Sequence, residues 1–167
     1  PVIAYESGGI LKLAFGEPGA SNTYTWTCSQ ADASGDTRGQ GIDMVLSSTD
    51  IPYLVHLDTS NSAVRSVTCA SEVTACITAG SGSFTGELVT FVGTVSADSA
   101  VPRIVRTSGG TRYVTFYSAL FQGLVLASRT SSASVWTLES LDVEGSGAPY
   151  VSQMGQHASL ILNSSDA

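Results

Sequence analysis

The sequence predicts an all-β fold assembled from repeated antiparallel sheets. Three observations predict it. Apolar and polar residues alternate in runs of four to six, broken by Gly, Ser, Asn and Asp clusters, the period-2 signature of strands with one face turned to a core. Helical periodicity is nearly absent. Finally, stretches beginning at Asp43, Arg103 and Ser159 align as internal copies, and such self-similarity outranks local propensity as a fold signal.

The middle copy, DMVLSSTDIPYLVHLDTSNSAVRSVTCASEVTACIT, offers the strands DMVLS, YLVHLD, AVRSVT and ACIT. The copy from Arg103 offers RIVRT, YVTFYS, GLVLAS and VWTLE. SLILNSSDA, from Ser159, stops where its neighbours continue into PYLVH or RYVTF, and the first residues, PVIAY, supply that continuation. Joined end to start, tail and head give SLILN, PVIAYE, ILKLAF and YTWTC, so Pro1 resumes a unit already begun. Residues 1–167 thus read as one β-repeat domain, with copies at about 159–167 plus 1–42, 43–102 and 103–158. Four antiparallel strands in a meander, repeated radially, make the blade of a β-propeller, and splitting one blade between the termini ties a ring shut. Three blades are too few to close face to face. The expectation is therefore either two chains in a six-bladed ring or a longer propeller. A β-trefoil or β-prism with threefold pseudosymmetry is the alternative, although the chain has no trefoil Gln-x-Trp triplet.

The runs PVIAYES, PYLVHLDTSNSAVRS and RYVTFYSALFQGLVL resemble the blade motif Pro-x-Ile-Ala-Tyr-x-Asp, turn, Leu-Lys of secreted bacterial β-propellers of the sialidase-like, BNR type. SNTYTWT and SSASVWT are similar to the Asp-box turn of those proteins, Ser-x-Asp-x-Gly-x-x-Trp, without its Asp and Gly. The middle copy (VTACIT) also lacks the Trp. The resemblance covers most of the chain. It implies a propeller that is secreted or displayed at the cell surface.

Composition limits the partners. Lys12 is the only lysine, beside six arginines and fourteen acids, and the net charge of −7 argues against a nucleic-acid binder, whose phosphate contacts need clustered Lys and Arg. No apolar run approaches the ~18 residues of a membrane-spanning helix, so no membrane insertion is expected. Cys69 and Cys76 lie on either side of an expected hairpin turn in TCASEVTAC. A disulfide there would contribute roughly 2–3 kcal/mol, the alternative being two free, partly buried thiols. Cys28 is left over, either buried or paired with another chain. Three cysteines and two histidines, His56 and His157, lack zinc-site spacing, DTSNSA (58–63) lacks the acids of a calcium loop, and no cofactor is expected. STD (48–50) and SSD (164–166) read as turns held by side-chain-to-backbone bonds.

On a repeated scaffold, working residues are sought at equivalent positions. Tyr5, His56 and Phe116 align, as do Glu6, Asp58 and Ser118. Lys12 and Arg65 align, with Val125 in the third copy, and Trp26 and Trp136 align on the fourth strands. An aromatic beside an acid and a base suits a sugar, because the ring stacks on C–H surface while the charges bond hydroxyls. The candidate ligand-binding set is Tyr5, Glu6, Lys12, Trp26, His56, Asp58, Arg65 and Phe116, with a glycan or surface ligand as partner. The competing reading makes the aromatics blade-to-blade packing and the acids strand ends. Hydrolases of the resembled family gather three arginines from separate blades beside a Tyr nucleophile. Arg103, Arg106 and Arg112 instead come from one expected hairpin, and Arg103 and Arg106, three apart, face opposite sides of an extended strand. The chain therefore reads as non-enzymatic. Two functions fit: an extracellular recognition module, and a structural subunit whose end strands join neighbouring chains as a homo-oligomer.

Overall fold

The computed structural model describes residues 1–32, 38–80, 83–94, 100–143 and 158–163. Its strands form three antiparallel sheets, each a meander in chain order and each drawn mainly from one sequence copy, β4 starting five residues before the second. The first sheet holds β1 (Val2–Ser7), β2 (Ile10–Pro18) and β3 (Tyr24–Gln30). The middle sheet holds β4 (Arg38–Leu46), β5 (Pro52–Asp58), β6 (Ala63–Cys69) and β7 (Phe84–Phe91). The third holds β8 (Arg103–Arg106), β9 (Arg112–Ser118), β10 (Gly123–Arg129) and β11 (Thr137–Val143).

Two expectations need correction. ACIT is not a strand: Val73–Ala79 is a short helix, α1, and the fourth strand of the middle sheet is β7. Val73, Cys76 and Ile77 are the buried residues of α1, an i, i+3, i+4 stripe that only a helix presents to one side. Gly80, at φ 84°, ends it in a conformation open to glycine. Cys69 and Cys76 do form a disulfide, but it ties the end of β6 to this helix and not across a hairpin. The second correction concerns the tail. Residues 159–163 join no sheet, and β1 is an edge strand of its own sheet. Along 158–163 the side chains alternate between half-buried and exposed, with Ile161 79% exposed. SSD (164–166) and His157 lie outside the described residues.

The sheets stack face to face, with the middle one covered on both sides. Leu54 and Val67 of the middle sheet pack with Leu11 and Leu13 of the first, sealed by Val73 and Ile77 of α1. Val55, Leu57 and Val64, on the opposite face, pack with Val114, Phe116, Val125 and Ala127 of the third. That double burial is why PYLVHLD is almost wholly apolar where a half-exposed strand would alternate. The Asp43 carboxylate accepts a bond from the Ile104 backbone N–H (2.9 Å), joining the first strands of the middle and third sheets.

Equivalent turns use equivalent devices. Ser47 Oγ accepts from the N–H groups of Thr49 and Ile51, at 3.2 and 3.0 Å, and Thr107 Oγ1 accepts from Thr111 N–H at 3.0 Å. Both turns place a left-handed residue at the matching position, Asp50 and Gly110. These bonds satisfy backbone groups that a tight turn would leave unpaired.

Candidate functional site

Register decides which candidate residues meet. Tyr5 pairs with Lys12, His56 with Arg65, and Phe116 with Val125, so the three aligned pairs occupy one structural position in three sheets. Their surroundings differ completely. Phe116 is fully buried among aliphatic side chains between the middle and third sheets. His56 is fully buried between the first and middle sheets, with Nε2 3.4 Å from Asp32 Oδ2. Arg65 lies 3.9 Å from the same carboxylate and 4.0 Å from Asp58 Oδ2. Carboxylates buried as deeply as Asp32 and Asp58 persist only with close polar or charged partners. His56, Asp58 and Phe116 therefore offer no surface to a glycan.

Glu6, Asp58 and Ser118 share a different task. Each accepts a bond from the backbone N–H three residues on: Gly9, Asn61 and Phe121. They cap the turn between the second and third strands of their copies. Glu6 sits one register place earlier than Asp58 because the Gly8-Gly9 turn is the shorter one, and Ser7 holds the matching place. The strand-end reading of these acids accounts for the geometry.

Tyr5, Lys12 and Trp26 do share one face, with Trp26 two cross-strand rows from the other two. In antiparallel sheets, directly opposed residues share a face and successive residues alternate. Ile3, Ala14 and Cys28 form one cross-strand row, Tyr5, Lys12 and Gln30 the next, and Gly16 faces Trp26. All lie on the face of the first sheet turned away from the middle sheet. This face is open: Ile3 is 47%, Tyr24 48% and Trp26 44% exposed. The Tyr24 and Trp26 rings stand 6.0 Å apart, tilted by 44°. A side-chain carbon at Gly16 would come within 3.2 Å of the Trp26 ring and 3.3 Å of Pro1, so glycine is what lets the indole lie across the strand. Trp26 is thus surface, while Trp136 packs against the buried core.

No protein-family model and no curated protein sequence matches this chain.

The open face carries one perturbed group. A hydrogen bond to Cys28 chiefly holds the Tyr5 phenol above its ordinary pKa of 10.0, with partial burial and the charge of an ionised Cys28 acting the same way. Cys28 is a free, exposed thiol. Lys12 Nζ reaches Ser7 Oγ at 3.5 Å. Chemically, the face provides apolar rings and aliphatic carbons with a cation at one side.

Sequence reasoning passed over a second cluster. Arg106, Arg112 and Arg129 form a single cross-strand row in the third sheet, while Arg103 pairs with Thr115 on the other face. The row meets the middle sheet. Arg112 bonds Glu87 at 3.3 Å, and Arg129 bonds its other oxygen. Arg106 and Arg112 lie over the Tyr53 ring, 5.4 and 5.2 Å from its centroid, and Arg112 also lies over Trp136. Burial lowers the Arg112 pKa. Only register could have found this row, since Arg129 is remote in sequence. Among the described residues, no three His, Cys, Asp or Glu converge as a metal site, and no helix is long and apolar enough to cross a membrane.

Proposed function

We propose that the chain is an extracellular, non-catalytic stacking module: a run of propeller-type blades whose open end faces are completed by further sheets of the same kind. One observation carries this reading. The face holding Leu54 and His56 in the middle sheet, and Val114 and Phe116 in the third, is covered by the preceding sheet; no described sheet covers the equivalent face of the first, where Ile3 is 47% and Trp26 44% exposed. Exposed apolar side chains gathered on one sheet face suit an association site. The doubly covered middle sheet also favours a blade array over a β-prism or trefoil, in which each sheet buries one face. A disulfide fits an oxidising compartment. The arginine row gives no support to hydrolysis, since Glu87, Tyr53 and Trp136 already occupy it.

Solution mass tests the proposal. A module of this kind is larger than one chain at micromolar concentration, and a strict monomer rules it out. A second reading, recognition of a glycan or surface ligand, draws on the exposed Tyr24–Trp26 pair, whose rings suit the C–H face of a sugar. Glycan-array binding lost in Trp26→Ala would favour that reading over assembly.

A further inference from the structure

We infer that a second copy of this chain completes the first sheet, donating residues 159–163 as its missing first strand and the far face of its third sheet as the cover of the open face. The inference rests on the stacking-module reading and names the partner.

The chain's own connectivity points to the donor. After the last strand of the first sheet the chain runs into β4, the first strand of the next sheet; after β7 it runs into β8. After β11 it reaches 159–163, whose SLILN aligns with DMVL of β4 and RIVR of β8 but which enters no sheet. The same rule assigns it to the first strand of a following sheet. In the first sheet no described strand holds that place: β1 is the counterpart of β5 and β9, and both of those have a first strand beside them.

The edge where the strand would add opens on a groove. A groove of about 320 Å³ runs between the free edge of β1 (Val2, Ile3, Ala4) and β4 (Ile42, Asp43, Met44). It is the space left where the first sheet has three strands stacked on four. Two independent pairings fix the register. Met44 faces Leu54 and Ile104 faces Val114, placing Leu160 opposite Ile3; Asp43 faces Val55 and Arg103 faces Thr115, placing Ser159 opposite Ala4. Ile161 then takes the position of Val45 and Val105, turned toward the groove, which would bury a side chain now 79% exposed. The donated backbone would satisfy N–H and C=O groups along the free edge of β1.

The cover follows from the same stacking order. Val2, Ala4, Leu11 and Leu13 of one sheet, then Tyr53, Val55 and Leu57 of the next, lie on the face that covers the sheet after them. In the third sheet that face carries Tyr113, Leu124 and Leu126, half-buried in the single chain. Contacts that join two different surfaces close into a ring when the rotation permits. Two chains would supply six sheets.

Light scattering on the full chain should give the mass of two copies. Ile161→Asp, and separately Tyr24→Glu, should give single chains with unchanged circular dichroism, because both side chains are exposed in the monomer. In a Cys28→Ala background, Ser159→Cys with Ala4→Cys should cross-link between chains on oxidation, whereas Ser159→Cys with Pro1→Cys, out of register, should not. A monomeric parent chain overturns the stacking-module reading itself. A dimer that survives both substitutions, or a cross-link formed within one chain, overturns only the donated strand and cover.

Discussion

The first and middle sheets are copies of one unit in one register, yet their equivalent faces have opposite fates. Ile3 and Leu54 hold the same position; one is 47% exposed and the other fully buried. Tyr5 is half-buried where His56 is sealed in beside Asp32. What differs is the neighbour: among the described residues another sheet covers this face of the middle sheet and none covers this face of the first. A residue's alignment across repeats therefore fixes its place in the sheet but not its job, which the covering layer decides.

The sharpest way to break this comparison is to truncate the matched pair. Leu54→Ala opens a cavity between two sheets and should cost about 2–5 kcal/mol. Ile3→Ala, measured in the monomeric Ile161→Asp background, removes a side chain already half in water and should cost less than about 1 kcal/mol. Urea unfolding reads both, and equal losses would mean that the first sheet's open face is covered in the single chain.

A somewhat smaller loss should follow from moving the middle sheet's residue into the third. Phe116→His places an imidazole among Val114, Val125 and Ala127, with no acid among the described core residues around it. The lost ring volume and the unsatisfied ring nitrogens together should cost about 2–4 kcal/mol. A loss below about 1 kcal/mol would show that the position tolerates His without its carboxylate.

Next comes the Cys69–Cys76 bridge. Replacing both with Ser should lower stability by roughly 2–3 kcal/mol through the loop it closes. Because α1 seals the covered face of the first sheet through Val73 and Ile77, amide exchange in β2 should accelerate more than in β9. Uniform acceleration would mean that the helix does not hold that face.

Most strands were legible because period-2 alternation is local and repeats reinforce one another. PVIAYE, YLVHLD, AVRSVT and YVTFYS fall where β1, β5, β6 and β9 stand. ACIT misled because β-branched residues and cysteine suit a strand by propensity, while the deciding stripe of Val73, Cys76 and Ile77 gains meaning only against Leu11 and Leu13. Three of the eight aligned site candidates, Tyr5, Lys12 and Trp26, meet on one open face. The others missed it because alignment identifies equivalence and says nothing of cover. Asp32 and Glu87 escaped notice for a related reason: each gains its role from a partner on another sheet. Tyr24, two residues before Trp26, was readable from alternation alone.

The smallest expected effect probes the open face directly. Tyr5 is held above its ordinary pKa of 10.0 mainly by its bond to Cys28, so Cys28→Ala should bring the phenol back toward that value, visible as an earlier step in the tyrosine ultraviolet titration. The sign for stability follows from linkage. A group whose pKa is raised on folding contributes fully below its unfolded pKa and loses that contribution as pH rises through the folded one. The parent chain should therefore lose slightly more stability than Cys28→Ala on passing from pH 9 to about pH 11. At neutral pH the Tyr5 phenol keeps its proton, so Cys28→Ala should leave the unfolding midpoint of the Ile161→Asp monomer almost unmoved. A large shift at neutral pH would mean that Cys28 supports the sheet itself, and the open face would then be a packed one.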